Sequence, residues 1–247
     1  MRTLKLTIQY DGTEFVGWQR QPNGPSIQAL VEDALAPIEG TQVAVHGAGR
    51  TDAGVHALAQ VASVSLGATL DEATIGRALN AVLPPAVRVL DVAQAEAGFH
   101  ARFSARSKTY EYRIVNAPLV SPFLYRYAWH VPQPLDLEAM RAATAPLVGT
   151  HDFAAFQGTG ADVASTVRTI HQAIWQQGAG YDGPATLRIT GDGFLRHMVR
   201  NIVGTLIEVG LGRWEPHRVR QALESRARAH AGPTAPARGL FLARVEY

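Results

Sequence analysis

The sequence predicts an α+β fold made of two successive units whose sheets can join. Three observations predict it. Short alternating strands and amphipathic helices take turns along all 247 residues. The rhythm runs once through roughly the first hundred residues and again through the rest. In both halves, paired strands stand between the helices, the mark of α+β layering.

The elements follow in order. Residues 3–11 alternate apolar and polar and read as a half-buried strand, ended by Asp11-Gly12. Ser26 caps a helix through Ile38 that carries Ile27, Leu30, Val31, Ala34 and Leu35 on one face. Val43–Val45 is a short strand leading into a glycine-rich loop, and Leu58–Leu66 is the next strand. Asp71 caps a helix through Val82, stopped by Pro84-Pro85, and Val87–Val92 is again a strand. In the second half, Thr109–Val115 alternates, and Asp136 caps a helix through Leu147. Val167–Gln176 and Ala185–Thr190 are strands. Phe194–Leu211 has the strongest helical periodicity, with Leu195, Met198, Val199, Ile202, Val203, Leu206 and Val209 in one stripe. Glu215–Leu223 is a further helix and Leu240–Val245 a closing strand. The division falls at 104/105, giving an N-terminal subdomain 1–104 and a C-terminal subdomain 105–247.

Composition narrows the function. The chain has no cysteine, so disulfides, thiol nucleophiles and zinc-thiolate sites are excluded. The start, Met1 to Lys5, runs into a strand without the apolar core of a secretory leader. No apolar run approaches the roughly 20 residues of a membrane helix. A cytoplasmic location is the expectation. The net charge of +2 is unevenly spread. Residues 1–100 carry 6 basic and 10 acidic side chains, whereas 101–247 carry 17 basic and 11 acidic. That asymmetry suits an anionic partner held by the second half. Arg102, Arg106, Lys108 and Arg113 cluster around Glu111 alone, a pattern that also describes an ordinary solvated face.

Three positions carry the candidate chemistry. Asp52 lies in Gly47-Ala48-Gly49-Arg50-Thr51-Asp52-Ala53-Gly54-Val55-His56, a carboxylate among residues that let another molecule approach closely. By residue type alone it reads as a turn residue bonded to backbone amides. A phosphate-loop reading fails, because no Gly-Lys-Ser/Thr follows, and His46 and His56 lack metal-site spacing. Arg200 sits beside the apolar stripe of the strongest helix, four residues after Arg196 and on its face. A guanidinium so placed wants a carboxylate, and Asp52 is a candidate. Tyr110 lies in the strand Lys108-Thr109-Tyr110-Glu111-Tyr112, where it is either a packed cross-strand ring or a ring that stacks on an unpaired base.

Taken together these segments resemble the tRNA pseudouridine synthase A family, in order and spacing. The Gly-Arg-Thr-Asp-Ala-Gly-Val-His string is the most specific of them. Further resemblance lies in Tyr10–Gln19, in Phe99-His100-Ala101-Arg102-Phe103-Ser104-Ala105, in Phe194–Gly204 and in Arg238–Leu242, so nearly the whole chain is covered. The resemblance implies a pseudouridine synthase fold: two ferredoxin-like halves joined in one mixed, mostly antiparallel sheet flanked by helices. It implies isomerisation of uridine at positions 38, 39 and 40 in the anticodon stem-loop of tRNA, by a homodimer without metal or organic cofactor. It makes Asp52 the nucleophile, Arg200 its partner and Tyr110 the contact to the target uracil. Arg50, Arg102 and Lys108 are the further substrate-binding candidates.

The chemistry suits a single carboxylate. Uracil leaves C1′ as an anion delocalised over two carbonyls, so it needs little acid assistance. The carboxylate attacks C1′, attacks the pyrimidine ring, or takes the C2′ proton; the residues do not choose among these routes. A glycoside hydrolase usually works with two carboxylates, and no second Asp or Glu lies in the Asp52 loop. An RNA-binding module without catalysis gives no reason for that loop.

Overall fold

The computed structural model describes residues 1–160, 163–179 and 183–247 and comprises two units. Met1–Arg106 and Phe241–Tyr247 form the first, and Ser107–Leu240 the second. The sequence-based boundary at 104/105 left the closing strand with the second half. The fold groups Phe241–Tyr247 with the first, where Phe241 and Leu242 pair in parallel with His56 and Ala57. A local pattern carries no trace of a parallel partner so far away in the chain.

In the first unit, strand β1 (Arg2–Tyr10) turns Leu4, Leu6, Ile8 and Tyr10 inward by strict alternation. Helix α1 (Ile27–Glu39) starts at Ser26, whose side chain accepts from the Ala29 amide. Strand β2 (His46–Gly47) pairs antiparallel with β3 (His56–Leu66). Helix α2 (Glu72–Val82) starts at Asp71, which accepts from Thr74 N at 2.8 Å, and packs on β4 (Val87–Gln94). Strand β1 lies antiparallel between β4 and β3, and β3 is followed by β10 (Leu240–Glu246). Ile27, Val31, Leu35, Ile75 and Leu79 from the helices are wholly buried, as are Leu4, Leu6 and Ile8. Each such side chain contributes roughly 1.5–3 kcal/mol on transfer from water. The strand expected at Val43–Val45 is absent. The Val45 backbone is instead met by α1 side chains: Glu32 accepts from its N–H at 3.1 Å and Gln28 donates to its carbonyl at 2.9 Å.

In the second unit, β5 (Ser107–Val115), β9 (Ala185–Gly191), β8 (Val167–Gln177) and β7 (Gly149–Asp152) lie in that order with antiparallel neighbours. Strand β6 (Trp129–His130) runs parallel to β5. Strands β6 and β7 were not expected: two and four residues are too short to show a period. Helix α3 (Leu137–Thr144) is capped by Asp136 and passes into a 3-10 turn at Ala145–Leu147, where Pro146 has no N–H to continue the α pattern. Helices α4 (Met198–Gly210) and α5 (Arg218–Ser225) complete the layer. Helix α5 begins three residues later than expected, because Pro216 disfavours helical backbone at Glu215.

Helix α4 also begins later than its periodicity suggests. His197 has φ +59°, and the Gly158 amide donates to the Arg196 carbonyl, so the chain turns at Arg196–His197 and is not helical before Met198. Arg196 therefore does not share a helix face with Arg200. From Met198 on, α4 is buried on nearly every side, as a core helix is. Gly204 is required there: a β-carbon would stand 1.6 Å from the Pro233 carbonyl oxygen. Both units are thus α+β with mostly antiparallel strands flanked by helices, the class expected.

Candidate active site

The Asp52 loop joins β2 to β3 in the first unit and is clamped by the segment that follows β1. Tyr10 and Thr51 share a buried hydrogen bond of 2.8 Å. Trp18 N donates to Thr51 O at 3.1 Å, and Gly54 N donates to Phe15 O at 3.3 Å. Gly17 makes this approach possible. It has φ +107°, and a β-carbon on it would lie 2.5 Å from Thr51 O. Behind the loop, Gln60 donates to the Gly49 carbonyl at 2.8 Å. Val55 N closes the turn on Asp52 O at 3.1 Å.

The burial pattern gives this clamp its meaning. Thr51 and Val55 are buried, whereas Asp52 between them is half-buried. A carboxylate is thereby held by rigid neighbours and remains within reach of a ligand. Tyr10 reinforces the arrangement. Burial pushes its hydroxyl up to about 12, only partly opposed by the bond to Thr51, so it keeps its proton. His56, 1% exposed, begins β3 beneath the loop. Its Nδ1 lies 3.1 Å from both the Gly12 amide and Asp11 Oδ1, and its ring stacks on Phe241 at 4.6 Å.

Tyr110 and Arg200 belong to the second unit. Tyr110, on β5 opposite Ile189, is 7% exposed and meets the edge of Phe194 at 5.0 Å. Arg200, the third residue of α4, is half-buried, and its Nε donates to Ala235 O at 2.7 Å. Ala235 N returns a bond to Arg200 O at 3.1 Å. The next residue, Pro236, accepts from the Tyr112 hydroxyl at 2.7 Å. Burial raises the Tyr112 hydroxyl, with Arg200 and Arg238 pulling weakly the other way. Segment 233–239 is thus the strap that orients Arg200.

The remaining candidates differ in setting. Arg50 is exposed on the Asp52 loop. Arg102 is exposed after β4, with its guanidinium 5.5 Å from the Phe103 ring centre. Lys108 is half-buried near the start of β5, paired with Gly191. Arg50, Arg102 and Asp52 therefore fall in one unit, and Lys108, Tyr110 and Arg200 in the other.

The supporting residues escaped the sequence. Thr51 and Tyr10 act through a contact 41 residues apart. Asn201, fully buried, donates to Phe156 O at 2.8 Å and accepts from Thr234 at 2.6 Å, so it fixes α4 beside Arg200. A polar residue inside an apolar helical stripe was its one available signal.

Comparison with known proteins settles the family. A family model described as tRNA pseudouridine synthase matches residues 6–104 and 143–247, which include Asp52 and Arg200. A protein named tRNA pseudouridine synthase A from Pelobacter propionicus is 45% identical over 249 residues, covering 100% of both chains. One of the same name from Myxococcus xanthus is 45% identical over 100% of this chain and 92% of its own. Another, from Thermoanaerobacter sp., is 40% identical over 100% of both. This chain belongs to the tRNA pseudouridine synthase family, isomerases that convert uridine to pseudouridine in tRNA.

Proposed function

We infer that this enzyme acts at positions 38, 39 and 40 of the anticodon stem-loop, as a cytoplasmic homodimer, with Asp52 as its nucleophile. The observation that carries the reading is the clamped loop: Thr51 and Val55 are buried and bonded, and Asp52 between them remains partly exposed. Positioning of this kind is what a catalytic carboxylate needs from its scaffold.

The reaction breaks C1′–N1, turns the uracil, and joins C1′ to C5. The C5 proton is then released to solvent. Asp52 acts as an ionised carboxylate, and Arg200 is the cation that supports that charge. Tyr110 contacts the target base. Taking that base out of its stack costs a few kcal/mol, which contacts in the pocket offset. The first unit supplies the catalytic loop, and the second supplies the arginine helix. Arg50, Arg102 and Lys108 hold phosphates, which set register rather than sequence.

Tritium release from C5-labelled uridine in unmodified tRNA tests the reading, with mapping of the modified positions. The intact chain should release tritium and place pseudouridine at 38–40. Asp52→Ala should release none while still binding tRNA. Normal turnover by Asp52→Ala would refute the nucleophile assignment. Free uracil among the products would mark a hydrolase instead.

A further inference from the structure

The first unit carries a row of planar side chains that the Asp52 loop does not use. His46 and His100 stack with ring centres 5.0 Å apart and planes 26° from parallel. His100 meets Phe103 at 4.4 Å and 36°. The Arg102 guanidinium lies 5.5 Å from the Phe103 ring centre. Four flat groups thus follow one another at stacking distances, and all but His100 are exposed. Phe103 is 76% exposed, and His46 is exposed as well.

The row is rigidly mounted. The His100 Nδ1 accepts from Arg102 N at 3.1 Å and from Phe103 N at 3.4 Å. The His100 amide donates to Ser104 Oγ at 3.1 Å, and Ser104 N returns to His100 O at 2.9 Å. Ala101, wholly buried, donates to Ser63 Oγ at 3.1 Å and accepts from the Tyr247 hydroxyl at 2.9 Å. The turn is therefore tied to the sheet while its rings face water. A single exposed phenylalanine needs no explanation. One held at the end of a ring row under an arginine does.

We propose that Phe103, backed by His100 and His46, is a stacking platform for an unpaired nucleotide of the tRNA, with the exposed Arg102 and Arg106 meeting its phosphates. Ring faces beside an exposed cation are the equipment of single-strand recognition, and every base offers a face to them. The nucleotide is not the one that reacts. His46 pairs opposite Ser63, whereas the Asp52 loop enters β3 at His56. Seven residues of strand separate those points by roughly 20 Å. The platform therefore holds the substrate away from the chemistry, and its loss falls on KM rather than kcat.

The proposal rests on tRNA being the substrate, and the test keeps the two apart. The affinity of the full chain for labelled unmodified tRNA is read by fluorescence anisotropy, alongside tritium-release kinetics, for wild type, Phe103→Ala, Phe103→Leu and Phe103→Trp. Phe103→Ala and Phe103→Leu should weaken binding by about 5- to 100-fold, and Phe103→Trp should restore it to within about threefold. Wild-type affinity in Phe103→Ala overturns the platform while leaving the enzyme's reaction intact. A change in molecular mass by light scattering, with tRNA affinity unchanged, assigns the surface to a protein contact and overturns it too. A wild-type chain that neither binds nor isomerises tRNA removes the substrate itself, and the platform with it.

Discussion

Tyr10 and Thr51 share a 2.8 Å hydrogen bond in the interior of the first unit, joining the last residue of β1 to the residue before Asp52. The bond puts one end of the candidate catalytic loop on the most regular strand of that unit. The other end runs into β3, the strand paired with β1. Asp52 thus inherits the precision of a sheet although it lies in a loop.

Gly17→Ala should spoil that precision. The substitution asks a side chain to adopt φ +107° and to stand 2.5 Å from Thr51 O. Calorimetry should show a destabilisation of roughly 1–3 kcal/mol. Tritium release should fall further than tRNA affinity, because the displaced carbonyl belongs to the neighbour of Asp52. Equal losses in both would mean that the contact serves stability alone.

Arg200→Met should lower turnover sharply, by about 100-fold or more, with the fold retained. Met keeps an unbranched apolar stem within α4 but removes the charge and the bond to Ala235 O. A modest drop in thermal midpoint is expected from the loosened 233–239 strap. Normal kcat in a folded Arg200→Met would dismiss the role of this cation.

For Tyr110, Phe and Ala variants separate ring from hydroxyl. If the ring's face and edge do the work, Tyr110→Phe keeps part of the activity, and Tyr110→Ala loses about tenfold more. Near-complete loss in Tyr110→Phe would assign a chemical task to the hydroxyl. The ring's packing against Phe194 makes Phe a tolerable replacement structurally.

Asp152 supplies a pH prediction. The Thr166 hydroxyl, and then the Ala154 amide and Arg226, hold its carboxyl below the ordinary value. A lowered folded value means stability that is present above the unfolded value, about pH 4, and is lost as pH falls through the folded one. Asp152→Asn should therefore show a shallower loss of urea midpoint as pH falls below about 4. An unchanged acid limb would show that the Thr166 and Arg226 contacts do not couple to folding.

Ser26→Ala removes the side chain that accepts from the Ala29 amide at the start of α1. Ser26 is fully buried, so no water replaces it. A loss of about 1 kcal/mol is expected by equilibrium unfolding, with kcat unaffected. A stability equal to wild type would make the 3.4 Å contact too weak to count.

Much was legible in the residues alone. Caps at Ser26, Asp71 and Asp136 and alternation in β1, β5 and β9 are local signals, written within a few positions of the elements they control. The Asp52 loop and its family resemblance were legible for the same reason, as a contiguous string. What failed was whatever depended on a distant partner. The start of α4 is set by Gly158 meeting Arg196, and β6 is a strand only because β5 lies beside it.

The sequence by itself determined the α+β class, the family and the identity of the candidate carboxylate, since these rest on period, capping and a contiguous motif. Only the tertiary structure decided that Thr51 is tied to Tyr10, that Arg200 is oriented by Ala235, and that Phe103 stands outward on a locked turn. Each depends on chain segments brought together across tens of residues, where backbone groups and rings find partners that no local pattern encodes.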